Sequence, residues 1–362
     1  MKHWQLAFCY GVVLAGFTGY VMLDTFVLPS GQTAVKQANT AMFEQAQAST
    51  LESAETTETT ESAETSETSA HSGRPSHKPG EKPDEKPSVS FYHDDEQSQD
   101  ASDGDSQQQT DAAQQTNSAG TVTGTYSDEN CSITLTEYYQ NSTKIYVADV
   151  RLTSAEYLRT AFADDTYGKN VTAATSEIAA AHDAILAVNG DFYGARESGY
   201  VIRNGVVYRD FGISSTDVLC IYADGHFEIT NSGEADAQAL VDAGVWQAFS
   251  FGPGLVEDGS VTVDEQTEVG RAMASNPRTA IGVIDPLHYV FVVSDGRTDE
   301  SAGLTLYQLA NFMQDLGAST AYNLDGGGSS TMYFQGQVVN NPTTGGSRIK
   351  ERSVSDIVYI GT

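Results

Sequence analysis

Three acidic residues, each closing an apolar run, are the first places where this sequence has the material for chemistry. "AILAVNGDFYG" leads into Asn189, Gly190 and Asp191; "HYVFVVSDGR" into Asp295, Gly296 and Arg297; "AYNLDGGGSST" into Asp325, Gly326, Gly327, Gly328, Ser329, Ser330 and Thr331. Singly, each is what a strand does on leaving a core, because Asn, Asp and Gly are ordinary turn residues. Together they offer three carboxylates and a guanidinium to one ligand, if the strands end on one rim. Three consecutive glycines cost backbone entropy that a plain hairpin need not spend. They let N–H groups approach an anion closely, and the hydroxyls that follow can donate to phosphate or sugar oxygens. No Walker lysine is present, and Thr331 stands where a nucleophile elbow needs its second glycine. Arg278, in "NPRTAIGV", opens another apolar strand and so sits at a strand edge, as an exposed cation or as part of the same site. A divalent cation such as calcium, bridging the carboxylates and a phosphate, is chemically reasonable. His182, His226 and His288 occupy contexts that suit surface or helix-end residues better than a catalytic base.

The elements that must position these residues are strand-rich. "YVIRNGVVYR" and "CIYADGHFEI" each carry a two-residue hairpin signal, Asn204-Gly205 and Asp224-Gly225. The clearest helix is "GLTLYQLANFMQDLGA", where Leu306, Leu309, Ala310, Met313 and Leu316 share a face and Gly317 stops it. "TAATSEIAAAHDA" and "EADAQALVDAG" read as two more. The fold class is α+β, a mixed β-sheet domain with a few helices. The clear helix lies between the runs that end at Asp295 and Asp325, and strand-helix-strand order favours parallel strands whose C-terminal ends share an edge, where ligands commonly sit.

This domain spans residues 121–362. Before it, residues 1–29 hold "LAFCYGVVLAGFTGYVML", an uncharged run from Leu6 to Leu23 preceded by Lys2. Its length approaches the ~20 apolar residues of a bilayer span. It lacks a clear small-residue cleavage site and reads as an N-terminal signal anchor, a transmembrane helix with the rest of the chain outside the cell membrane. Residues 30–120 carry the near-duplicate "ESAETTETT" and "ESAETSETS" and a proline-punctuated charged stretch, a composition expected of a disordered acidic stalk. The formal charge of −30 excludes nucleic acid as a partner, since phosphate backbones need clustered cations. Cys131 and Cys220 are far enough apart to pair, or stay as two buried thiols.

The ordered series "AVNGDFYG", "YVIRNGVVYR", "FGPGLVEDG", "NPRTAIGV", "SDGR", "NLDGGGSSTMY" and "RSVSDIVYI" resembles the phosphodiester glycosidase family over residues 121–362. The resemblance implies hydrolysis of a sugar-1-phosphodiester at the sugar C1–O bond, with a phosphorylated glycan as partner. By carry-over, Asp325, Asp191, Arg278 and Asp295 are catalytic. Asn189, Gly190, Gly296, Arg297, Gly326, Gly327, Gly328, Ser329, Ser330 and Thr331 bind substrate. Asp325 or Asp191 would stabilise or attack the sugar carbon, while Arg278 or Arg297 and the glycine-loop amides hold the departing phosphate. The anchor and acidic stalk suggest a bacterial surface protein acting on envelope or exopolysaccharide phosphoglycans. A non-catalytic module that binds glycan phosphates would use the same residues.

Overall fold

A computed structural model describes residues 3–44, 46, 120–212, 216–267, 275–344 and 348–361. Most of the stalk expected over 30–120 therefore lies outside the described residues. The fold is α+β. Strands are numbered along the chain, and among the described residues every ladder is antiparallel.

The largest sheet has eight strands in the order β14 (Ser260–Val261), β13 (Gly254–Glu257), β17 (Thr320–Asn323), β15 (Arg278–Asp285), β16 (His288–Ser294), β4 (Thr143–Leu152), β3 (Cys131–Gln140) and β2 (Thr121–Ser127). A second sheet runs β19 (Gln337–Val338), β18 (Met332–Phe334), β7 (Leu186–Asn189), β22 (Asp356–Ile360) and β5 (Leu158–Phe162). A third runs β11 (Phe227–Asn231), β10 (Asp217–Tyr222), β12 (Val245–Phe249), β8 (Gly199–Arg203) and β9 (Val206–Phe211). Two short pairs complete the set, β1 (Ser30–Ala34) with β6 (Thr166–Lys169) and β20 (Thr343–Thr344) with β21 (Arg348–Ile349). Helices among the described residues include α1 (His3–Phe26), α2 (Thr175–Ala181), α3 (Ala237–Asp242) and α4 (Leu306–Asp315).

Side-chain alternation explains the layering. Along β16, Tyr289, Phe291 and Val293 enter a core shared with Leu186 and Val188 of β7 and Val358 and Ile360 of β22. Val290 and Val292 point the other way, onto Leu306, Leu309, Ala310 and Met313 of α4. Ala187, Ile357 and Tyr359 on the far face of the second sheet meet Ile178 and Ala179 of α2. The order is α4, large sheet, second sheet, α2. Strands buried on both faces read as continuous apolar runs rather than alternating ones. Helix α4 starts at Thr305, whose hydroxyl accepts from the Gln308 N–H while the Gln308 side chain accepts from the Thr305 N–H, and it stops before Gly317 at φ 88°. The Asn204-Gly205 turn takes φ 52° and 71°, left-handed at both positions as a two-residue hairpin requires.

Two expectations change. Strands β16 and β17 run in the same direction, but β15 lies between them and pairs antiparallel with both, so no parallel ladder forms. The C-terminal ends of β16 and β17 still share an edge, and Arg278 starts β15 at that edge opposite Ser294. The stalk does not begin at residue 30. Thr33 pairs with Tyr167, the Asn39 N–H donates to the Asn204 carbonyl at 2.9 Å, and Phe43 is buried edge-on against Trp246 at 4.8 Å. Cys131 and Cys220 are free and buried, and burial pushes their thiols up to about 11 and about 12. The N-terminal segment forms α1, whose described side chains begin at Gly11; among the described residues no helix is long and apolar enough to cross a membrane.

Candidate active site

The shared edge opens into a cavity of about 190 Å³ lined by Phe251, Asn276, Arg278, Arg297, Asp325, Gly326, Gly327 and Arg352. Among the described residues, the carboxylate in this lining is Asp325, facing three guanidinium groups. In a chain of net charge −30 this is a local reversal of sign.

Asp325 follows β17 and is 8% exposed. Its Oδ2 accepts from Ser329 Oγ at 2.7 Å and from Arg352 Nη2 at 2.7 Å, while Arg352 Nε donates to Ser329 Oγ at 2.8 Å. Burial raises the Asp325 carboxyl above the ordinary range; Arg352 and Ser329 pull it back. Arg278 is 4% exposed, and its Nε donates to the Leu304 carbonyl at 2.9 Å. Burial, reinforced by the charge of Arg297, brings Arg278 down to about 10. It stays cationic at neutral pH, held beside another cation, an arrangement that an anion between them relieves. Arg297 Nε and Nη2 both donate to Asn276 Oδ1, at 3.2 and 3.0 Å.

The glycine loop wraps this site. The Gly327 N–H donates to the Pro277 carbonyl at 2.8 Å. Gly327 has φ 63°, and a Cβ there would lie 2.9 Å from Arg297 Nη2. The left-handed conformation favours glycine, while the guanidinium end can give way to a Cβ. Gly326 also lines the cavity, whereas Gly328 packs on Thr343 and Thr344, and Gly296 on Pro277. Of the three hydroxyls only Ser329 reaches the carboxylate. Ser330 Oγ and Thr331 Oγ1 are buried without a hydrogen-bond partner and do not line the cavity.

Asn189 holds the loop rather than a ligand. Its Nδ2 donates to the Asp325 carbonyl at 2.6 Å, and its Oδ1 accepts from Thr279 Oγ1 at 2.8 Å and from the Thr331 N–H at 3.3 Å. Gly190 permits a tight approach, since a Cβ there would sit 2.1 Å from Asp356 Oδ1.

Two proposed acids leave the site. Asp191 is 1% exposed; its Oδ1 accepts from Arg203 Nη2 at 2.9 Å and its Oδ2 from the Ser250 N–H at 2.9 Å. Arg203 also donates from Nε to Asp356 Oδ2 at 2.8 Å, so one buried cation holds two carboxylates. Burial raises the Asp356 carboxyl, and Asp191 adds to the rise. This cluster is an internal staple, and Asp191 does not line the cavity. Asp295 accepts from the Asn341 N–H at 2.8 Å and from Asn340 Nδ2 at 3.2 Å, and borders a separate cavity of about 430 Å³ with Arg297, Asp299 and Glu300. The three carboxylates that a bridging calcium would have used do not line one cavity. Among the described residues no group of three or more His, Cys, Asp or Glu side chains is placed to hold a metal. His182, His226 and His288 pair with Asp165, Asp224 and Asp149, outside the cavity lining.

Arg352 and Asn276 are lining residues that the sequence did not single out, whereas Phe251 opens the "FGPGLVEDG" run, whose alternatives were a rigid turn or a pocket wall. Arg352 lies in the "RSVSDIVYI" run but carries no local pattern that singles it out; it meets Asp325 across 27 residues of chain.

Residues 182–361 match the profile of the family described as phosphodiester glycosidase. The chain is 31% identical over 184 residues to the SPbeta prophage-derived uncharacterized protein YomE of Bacillus subtilis (strain 168), covering 49% of this chain and 28% of that protein. It is 28% identical over 187 residues to the N-acetylglucosamine-1-phosphodiester alpha-N-acetylglucosaminidase of Homo sapiens, covering 47% of this chain and 36% of that protein. The chain thus spans little more than a third of these relatives at most. The catalytic domain of the zebrafish N-acetylglucosamine-1-phosphodiester alpha-N-acetylglucosaminidase, solved in a form auto-inhibited by its pro-peptide, superposes with a TM-score of 0.52 at 18% identity, over 67% of this chain and 88% of that one. That likeness is one of fold.

Proposed function

Residues 182–361 belong to the phosphodiester glycosidase family, and from that premise we propose that the protein hydrolyses a sugar-1-phosphodiester at the sugar C1–O bond, releasing the sugar and a phosphate monoester. The observation that carries this reading is the composition of the cavity, one buried carboxylate against Arg278, Arg297 and Arg352. Ordinary glycosidases pair two carboxylates because an alcohol leaving group must be protonated. Here the leaving group is a phosphate monoester, a stable anion that needs cations instead.

The mechanism follows from the geometry. The guanidinium groups of Arg278 and Arg297 take the phosphate and stabilise the charge that grows on it as the C1–O bond breaks. Asp325 faces the positive charge that develops at C1. Arg352 and Ser329 fix its carboxylate through Oδ2 and offset the burial that favours the protonated form. Asp325 attacks C1 or takes a proton from the water that does, and the anomer of the released sugar separates the two routes.

The substrate class is a phosphodiester-linked glycan. The names of the mammalian relatives suggest N-acetylglucosamine as the first sugar to try. The apolar run Leu6–Leu23 supports a membrane tether with the domain outside the cell, and an envelope or exopolysaccharide phosphoglycan as the natural target. The deciding experiment incubates the protein with defined sugar-1-phosphodiesters and identifies both products. Turnover that Asp325→Asn abolishes supports the proposal. Saturable binding with no turnover across the panel identifies a glycan-phosphate binding module instead.

A further inference from the structure

Between the buried carboxylate of Asp191 and the buried ring of Tyr193 stands a phenylalanine that the core does not use. Phe192 is 40% exposed, while Asp191 and Tyr193 are 1% and 2% exposed. Its backbone is left-handed, with φ 65° and ψ 27°. For a non-glycine residue that conformation costs about 1–2 kcal/mol. An exposed aromatic face on a strained residue is a double cost to folding, of the kind that collects at ligand sites.

The ring faces a group that bounds the cavity. The Arg352 guanidinium lies over it at 5.7 Å from the centroid, and the same guanidinium holds Asp325 Oδ2 at 2.7 Å. The aromatic face is therefore one side chain away from the carboxylate. The cavity itself, about 190 Å³, falls below the ~300–1,000 Å³ of sites that enclose a whole small ligand. Its arginines take the phosphate, and the glycosyl ring is left to rest at the mouth. A pyranose presents C–H bonds on one face, and a phenyl ring presents the negative face of its quadrupole.

We propose that Phe192 is the platform for the sugar ring of a hexopyranosyl phosphate, so that this residue selects the sugar while the arginines select the phosphate. The proposal rests on the glycosidase reading. The competing role for Phe192 is to brace Arg352, which would affect every anion alike.

Two probes separate these roles, glucose 1-phosphate and inorganic phosphate, each titrated into the full protein by calorimetry. The variant is Phe192→Asn, because asparagine tolerates left-handed backbone; Phe192→Trp keeps an aromatic face. Expected is a roughly ten-fold weaker Kd for glucose 1-phosphate in Phe192→Asn, the size of one aromatic stacking contact. Inorganic phosphate stays within about two-fold, and Phe192→Trp retains sugar phosphate binding. Equal losses for both probes overturn the proposal in favour of bracing, and no loss for either removes the ring from the site. A wild-type protein that turns over a sugar-1-phosphodiester yet binds neither probe overturns this inference alone, and one that also shows no turnover overturns the glycosidase reading with it.

Discussion

Replacing Arg352 with glutamine tests whether this residue works through Asp325. The Asp325 side chain is 11% exposed, so burial favours its protonated form, and its two side-chain donors both reach Oδ2 at 2.7 Å. Glutamine preserves a hydrogen-bond donor and removes the charge. A charge-assisted bond contributes about 1.5–3 kcal/mol. The Arg352 side chain is 40% exposed, and solvent screening reduces that to roughly 1–1.5 kcal/mol, about one pH unit in the Asp325 carboxyl. The sign is upward, because losing a cation disfavours the carboxylate. The acid limb of kcat/KM against pH, measured on a sugar-1-phosphodiester, moves about one unit toward neutral in Arg352→Gln. The plateau falls as well, because the carboxylate loses its fixed orientation. Arg352→Lys keeps the charge but cannot reach Ser329 and Asp325 together, and lies between the two. A lowered plateau with an unmoved acid limb would refute the coupling and leave Arg352 as a phosphate contact.

Asp325→Asn abolishes turnover and leaves the protein at least as stable as wild type near neutral pH. A raised carboxyl lends the fold a stability that is complete at acid pH and is lost as pH rises through its folded value; asparagine resembles the protonated form, so the difference in Tm vanishes on acidification. Arg203→Met leaves Asp191 and Asp356 buried together without their cation and costs about 3–5 kcal/mol, a fall in Tm of roughly 6–20 °C for a domain of this size. Thermal unfolding at two pH values checks it: the loss is smaller in acid, where Asp356, already raised by burial, takes up a proton. Phe43→Ala lowers Tm by roughly 6–12 °C if the segment ahead of the stalk belongs to the core, from about 3 kcal/mol of lost packing on Trp246; an unchanged melting curve would detach that segment.

Local pattern carried much of the fold and named five of the eight residues that line the candidate cavity. The hairpins at Asn204-Gly205 and Asp224-Gly225 and helix α4 are where turn chemistry and 3.6-residue periodicity put them. Arg278, Arg297, Asp325 and two of the three loop glycines meet because their strands all reach the same edge. Asp191 looked equivalent to Asp325 in the sequence. What separates them is Arg203, delivered by strand β8, and nothing adjacent to Asp191 announces it. Asp295 is claimed by Asn340 and Asn341, more than forty residues away. Strand-helix-strand order sets the direction of two strands and not what lies between them, so β15 was invisible to it. Met42 and Phe43 were lost by averaging composition over a long polar stretch that begins only after them.

Asn189 belongs to the second sheet, yet its amide grips the backbone of Asp325 and the hydroxyl of Thr279, both from the large sheet. The Asp325 carboxylate therefore sits on a seam, its backbone clamped from across it. Any slip of one layer over the other is delivered first to Asp325. Substitutions deep in the shared core, among Phe291, Val188 and Val358, can tune turnover without touching substrate. Adaptation in such a protein has a remote dial, set by how two walls are pressed together.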